Sequence, residues 1–214
     1  WLLKENGLVS LKINKKKFIY LISPNRINEK FYHNLNYVLK SGKVGFFQMR
    51  FKKYSLSKKI LIGSKLKKIC KKNNVKFLVN DDPLLTKKLN ADGCHLGQKD
   101  MDLTKARMML GNKIIGVTCH NSIKLAKTAV KNKADYLAFG AFFSTKTKNT
   151  KHKATIKILN KAKKLFKTRL VAIGGINSLN YKKLLLNKAD FLAISGYIWN
   201  NKKLKPLEAI KKLR

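Results

Sequence analysis

Val44-Gly45-Phe46-Phe47-Gln48-Met49-Arg50-Phe51-Lys52 reads as a strand leaving a protein core and arriving at a site. Its first four residues are apolar without alternation, the signature of a strand covered on both faces, which parallel sheets of α/β proteins require. Side chains in a strand alternate faces, so Gln48, Arg50 and Lys52 project the same way and form a row of anion-binding donors. The row begins where the apolar run ends, and α/β folds place their active sites at the carboxyl ends of such strands. Taken alone, Arg50 and Lys52 could be two more cations in a basic chain.

Seven further apolar runs recur along the chain. The full set is Phe18 to Ile22, Val44 to Phe47, Val75 to Val79, Gly93 to Leu96, Ile114 to Val117, Tyr136 to Phe139, Leu170 to Ile173 and Phe191 to Ile194. Between most of them lie lysine-studded stretches with helical spacing, such as Ile60, Leu61, Ser64, Leu66 and Ile69. Asn28, Ser57, Asn121 and Asn177 suit helix starts, while Gly42 and Gly111 sit where helices should stop. Eight strand and helix units in 214 residues predict a single (βα)8 TIM barrel, a fold that needs roughly 200 residues or more. A doubly wound open sheet is the structural alternative, but Tyr20-Leu21-Ile22-Ser23-Pro24 lacks the glycine-rich fingerprint expected after its first strand.

The 49 Lys and Arg against 10 Asp and Glu give a formal charge of +39, which raises the question of a polyanion partner. The lysines, however, fall in nearly every predicted helix instead of clustering with aromatics, the pattern of a solvated outer surface; no specific nucleic acid is expected. Cys70, Cys94 and Cys119 form no CxxC pair, so neither a disulfide framework nor a zinc site is predicted and a reducing cytoplasm is the expected location. No stretch approaches the ~20 apolar residues of a membrane span, and Trp1-Leu2-Leu3-Lys4-Glu5 is too short and acidic for a secretory signal. Residues 1–16 are set apart as an N-terminal extension of unassigned role, and residues 17–214 as the catalytic barrel; homo-oligomer formation stays open.

In a barrel, the strand ends share one mouth. Five of the ten acids, Asp81, Asp82, Asp92, Asp100 and Asp102, fall between positions 81 and 102. Asp81 and Asp100 follow adjacent strands and could share a hard divalent cation such as Mg2+, whereas Asp82 before Pro83 suits a helix cap. Ser144 to Lys148 offers hydroxyls and ammonium groups, and Gly174-Gly175 leaves backbone amides open to a close-approaching anion.

The set Gln48-x-Arg50-x-Lys52, Asn80-Asp81, Asp92-Gly-x-His-Leu-Gly-Gln-x-Asp100, Gly116-Val-Thr118-x-His120, Thr145-x-Thr147-Lys148 and Ala172-Ile-Gly-Gly-Ile176 resembles the thiamine phosphate synthase family from about Phe18 to Trp199. The resemblance implies a Mg2+-dependent transferase that joins hydroxymethylpyrimidine pyrophosphate to a thiazole phosphate, giving thiamine monophosphate and pyrophosphate. It further implies that Gln48, Arg50, Lys52, Asn80 and Lys148 hold the pyrimidine pyrophosphate and that Asp81 and Asp100 ligate the metal. Arg50, Lys52 and Lys148 would stabilise the leaving group, and Thr118 would stand beside the pyrimidine. Thr145, Thr147, Gly175, Ile194 and Ser195 would receive the thiazole phosphate. The chain departs from the family at Ser23-Pro24, where Thr-Asp is usual, and at Ala141 and Ser144, where prolines are usual. Cys119-His120 keeps open a thiazole tautomerase that shuttles protons without coupling, and the basic composition a non-enzymatic nucleic-acid binder.

Overall fold

The structure, a computed structural model, describes residues 17–144 and 152–213 in full and the backbone of 2–5 and 8–11. All eight apolar runs are strands. They are β3 (Ile19–Ile22), β4 (Val44–Met49), β5 (Lys76–Asn80), β6 (Gly93–Leu96), β7 (Ile114–His120), β8 (Tyr136–Gly140), β9 (Arg169–Ile173) and β10 (Phe191–Ile194). Every neighbouring pair is parallel, and β10 pairs with β3 to close the barrel. Ahead of it, β1 (Leu2–Glu5) and β2 (Leu8–Leu11) form a separate antiparallel pair, to which the sequence reading assigned no structure.

Strand alternation divides the core in two. Tyr20, Phe46, Leu78, Ile114, Tyr136, Val171 and Phe191 fill the barrel lumen. Their neighbours Leu21, Phe47, Phe77, Ile115, Leu137, Ala172 and Leu192 face outward against the helices. With no water inside a packed lumen, polar groups there must find partners among themselves.

The helices are α1 (Glu29–Lys40), α2 (Leu56–Lys72), α3 (Pro83–Lys88), α4 (Leu103–Leu110), α5 (Ile123–Lys131), α6 (Ile156–Leu165), α7 (Tyr181–Leu186), α8 (Gly196–Trp199) and α9 (Pro206–Lys211). Asn28 caps α1 as the sequence predicts, accepting from the Phe31 amide at 3.1 Å. The other predicted starts shift: Ser55 and not Ser57 caps α2, Ser122 and not Asn121 caps α5, and Asn177 sits in the turn before α7. Gly42 and Gly111 end α1 and α4 with positive φ, 73° and 55°. Among the described residues no helix is long and apolar enough to cross a membrane.

The barrel floor repeats one device three times. Asn90-Ala91-Asp92, Lys133-Ala134-Asp135 and Lys188-Ala189-Asp190 each precede a strand, β6, β8 and β10. The first residue is left-handed (φ 45°, 62° and 73°), the alanine is buried, and the aspartate reaches the adjacent strand. Asp92 accepts from the Phe77 amide at 2.9 Å, Asp135 from Ile115 at 2.7 Å and Asp190 from Leu170 at 2.8 Å. Each carboxylate also meets a cation: Lys76 at 3.0 Å, Arg107 at 2.6 Å, and Lys163 at 2.9 Å with Arg169 at 3.3 Å.

Candidate active site

At the opposite end, the strand ends converge as a mouth. Gln48 shares its face of β4 with Phe46, so the lumen takes it: it is 2% exposed, and its Nε2 donates to Tyr20 Oη at 2.8 Å. The sequence reading placed Gln48 where the strand meets solvent; β4 in fact runs on to Met49 and keeps it dry. Arg50 follows β4, its amide donating to Ser23 Oγ at 2.9 Å and its guanidinium to Asn25 Oδ1 at 3.4 Å. Lys52 lies in the turn beyond, its ammonium 3.7 Å from Asp81 Oδ2. The row of three is therefore stepped, from a buried amide to a partly buried guanidinium to an exposed ammonium.

Asp81 follows β5 in the left-handed region at φ 64°, which Asp tolerates better than most residues, and its amide donates to the His95 carbonyl at 2.8 Å. Asp100 turns back in the loop after β6, its Oδ2 accepting from the Gly97 amide at 2.7 Å. The two carboxyls meet. Burial first, then the hydrogen bond and charge of Asp100, push Asp81 up to about 6, while Lys52 and Arg50 pull the other way. A cavity of about 490 Å³ opens beside them, lined by Lys52, Lys59, Asn80 and Asp81 over an apolar wall of Met49, Val79, Leu85 and Met101.

The cluster of five acids in the sequence comes apart in space. Only Asp81 and Asp100 meet at the mouth; Asp82 caps α3 (2.8 Å to the Leu85 amide), Asp102 caps α4 (2.9 Å to the Thr104 amide) and Asp92 belongs to the floor.

Across the lumen, Tyr20 Oη and Tyr136 Oη share a hydrogen bond of 2.8 Å. Tyr136 Oη lies 2.9 Å from His95 Nδ1, and His95 Nε2 2.9 Å from Thr118 Oγ1. Sequence reasoning put Thr118 in the site and quoted His95 without a role. It missed Tyr20 and Tyr136, which read as apolar strand residues; two hydroxyls that must be satisfied inside a lumen were the available signal. Gln98 Nε2 donates to the Thr118 carbonyl and ties the loop after β6 to β7.

On the far side, Ser195 Oγ donates to the Ser23 carbonyl at 3.2 Å. Ile194 packs outward with the helices, so a ligand would meet only its main chain. A Cβ on Gly175 would lie 2.3 Å from the Ser144 carbonyl, and one on Gly174 2.4 Å from the Ala141 Cβ. The glycine pair thus makes room for residues 141–144, which make strand-like contacts with β9 and the glycines after it (Phe142 N to Ile173 O and Phe143 N to Gly174 O, both 3.1 Å). Thr145, Thr147 and Lys148 lie outside the described residues. The His120 and His152 rings meet tilted by 33°, with centroids 4.1 Å apart. Burial pushes the Cys119 and Cys94 thiols up to about 12, which leaves neither as a thiolate nucleophile near neutral pH.

The family model described as thiamine monophosphate synthase matches residues 19–198. A thiamine-phosphate synthase of Pelagibacter ubique is 67% identical over 204 residues, covering 95% of this chain and 98% of that one. One from Erythrobacter litoralis is 42% identical over 187 residues, covering 85% and 88%. Among solved structures, a thiamine phosphate pyrophosphorylase from Pyrococcus furiosus superposes with a TM-score of 0.82 at 29% identity, over 94% of this chain and 95% of that one.

Proposed function

The chain belongs to the thiamine monophosphate synthase family, and from that premise we propose how its barrel mouth couples hydroxymethylpyrimidine pyrophosphate to thiazole phosphate, yielding thiamine monophosphate and pyrophosphate. One bond breaks, between the pyrimidine's methylene carbon and the pyrophosphate oxygen, which leaves with the electron pair. One bond forms, from the thiazole nitrogen lone pair to that carbon. The aminopyrimidine ring delocalises the positive charge on the carbon between these events, so no protein nucleophile is called for, in keeping with protonated thiols at Cys94 and Cys119.

What the chain must supply is charge and alignment. Arg50 and Lys52 lie on the side of the mouth where Asp81 stands and would bind the pyrophosphate, with Asn80 beside them. Arg50 is held through its amide and guanidinium by Ser23 and Asn25, so its approach is fixed in advance. Gln48, at the lumen end, would form the floor under the pyrimidine, and Thr118 its side wall. Lys148 would add its charge to the pyrophosphate, while Thr145 and Thr147, with the main chain of Gly175, Ile194 and Ser195, would take the thiazole phosphate.

Two carboxyls that share a hydrogen bond, with only oxygen donors and one ammonium 3.7 Å away, fit a hard divalent cation that completes its shell with water and phosphate. Asp81 and Asp100 would hold Mg2+, which when bound supplies positive charge to the departing pyrophosphate. Three buried free cysteines suit a reducing compartment, and we place the enzyme in the cytoplasm, acting on small molecules.

The observation that carries this reading is the meeting of Asp81, Asp100 and Lys52 at one rim. Coupling is measured with both substrates, with and without Mg2+, beside a tautomerase assay from which the pyrimidine is omitted. Thiamine monophosphate should form only with Mg2+ and both substrates; thiazole isomerisation without coupling would overturn the reading in favour of the tautomerase.

A further inference from the structure

The chain Gln48, Tyr20, Tyr136, His95, Thr118 draws one group from each of five strands and crosses the lumen. Its direction is set at one end. The Gln48 amide nitrogen can only donate, so Tyr20 Oη accepts there and passes its single proton to Tyr136 Oη. Tyr136 then has its own proton for His95 Nδ1. A neutral imidazole accepting at Nδ1 carries its hydrogen on Nε2 and donates it to Thr118 Oγ1. Thr118, its lone pair engaged, keeps one hydroxyl proton for the mouth.

Were the amide reversed, every bond would reverse with it and Thr118 would spend its proton on His95. The buried tyrosines cannot break the tie by ionising, because burial holds Tyr136 well above the ordinary phenol range. The fold reserves space for this device: a Cβ on Gly116 would lie 1.8 Å from the Tyr136 ring. The His95 and Tyr136 rings are nearly parallel, at 14°, and fix each other's plane.

We propose that this chain is a one-way hydrogen-bond relay that locks His95 as the Nε2–H tautomer and presents the Thr118 hydroxyl as an obligate donor to an acceptor on the pyrimidine pyrophosphate. Tyr20 and Tyr136 are then positioning residues that touch no substrate. The relay's direction stands on the protein alone; its kinetic consequence rests on the coupling reaction described above.

The direction is read by ¹⁵N NMR of ligand-free protein labelled at histidine, with His95→Gln assigning the signal among the four histidines. The proton should sit on Nε2 in the wild type, and Tyr136→Phe should turn the pure tautomer into a mixture. A proton on Nδ1, or a tautomer unmoved by Tyr136→Phe, would overturn the relay whether or not coupling is observed. In the coupling assay, Tyr136→Phe and Thr118→Val should each lower kcat about tenfold, the worth of one good hydrogen bond, with KM for thiazole phosphate unchanged. The double variant should be no slower than Thr118→Val alone, because one pathway is cut twice; losses that multiply would show that the two residues act separately.

Discussion

The two ends of this barrel use the same side chain in opposite ways. At the floor, Asp92, Asp135 and Asp190 each close on a strand amide and at least one cation, so every carboxylate charge is answered within the fold. At the mouth, Asp81 and Asp100 answer each other, like charge against like, with one ammonium 3.7 Å away. In a chain of +39, a shortage of cations cannot explain the difference. Among the described residues, the fold closes each floor carboxylate on a strand amide and a cation, whereas at the mouth it sets two carboxyls against each other, and that rim faces the cavity.

Removing a floor aspartate should cost the fold most. Asp135 is 6% and Arg107 19% exposed at the side chain, so Asp135→Ala leaves the half-buried guanidinium without its counter-charge, held only by the carbonyls of Gly111, Lys113 and Lys133, and the Ile115 amide unpaired. The expected loss is about 3–5 kcal/mol by urea denaturation, with kcat of the surviving folded enzyme near wild type. An unchanged midpoint would erase the contrast between the ends. The mouth should respond the other way. Asp81→Asn keeps the shape, and Asn tolerates the left-handed backbone, but one of the two charges proposed to hold the metal is lost. Turnover with Mg2+ should fall at least about a hundredfold, the usual scale for losing transition-state charge stabilisation, while the melting temperature holds or rises. Near-normal synthesis by this variant would remove Asp81 from the metal site.

Which parts of this contrast could be read from the chain follows from how each is encoded. The strands are legible because a doubly covered parallel strand must be apolar throughout, and all eight runs became barrel strands. The alternation that groups Gln48 with Arg50 is equally local. What alternation does not carry is depth: Gln48 is buried because Tyr20, from another strand, turns its hydroxyl inward to meet it. Among the five acids between 81 and 102, strand spacing and the Asp-Pro start pick out the Asp81 and Asp100 pair and the Asp82 cap, whereas the Asp102 cap and the floor place of Asp92 show only in the fold. One local signal stood in plain view: the Ala-Asp pair repeated before three strands. Thr145, Thr147 and Lys148 lie outside the described residues, so their part of the site still rests on the resemblance alone.

The smallest effect is also the most specific to the mouth. An unfolded chain releases the Asp81 proton near the ordinary aspartate value, about 3.9. The folded mouth, by burial and by Asp100, holds it to about 6. Below both values the two states bind the proton equally and Asp81 adds no pH dependence. Between them the unfolded state has lost the proton that the native state keeps, so stability falls as pH rises, and the penalty is complete above about 6. Wild-type protein stripped of divalent cations should therefore lose a few degrees in Tm between pH 4 and pH 7 relative to Asp81→Asn, which has no proton to release there. Adding Mg2+ at pH 7 should restore the wild type and leave the variant little changed, because only the wild type holds two charges for a cation to bridge. Floor variants, whose carboxylates already have their partners, should show no Mg2+ response beyond that of the wild type. A melting curve for the stripped wild type that runs parallel to Asp81→Asn across this range would mean that the mouth carries no unanswered charge and differs from the floor only in position.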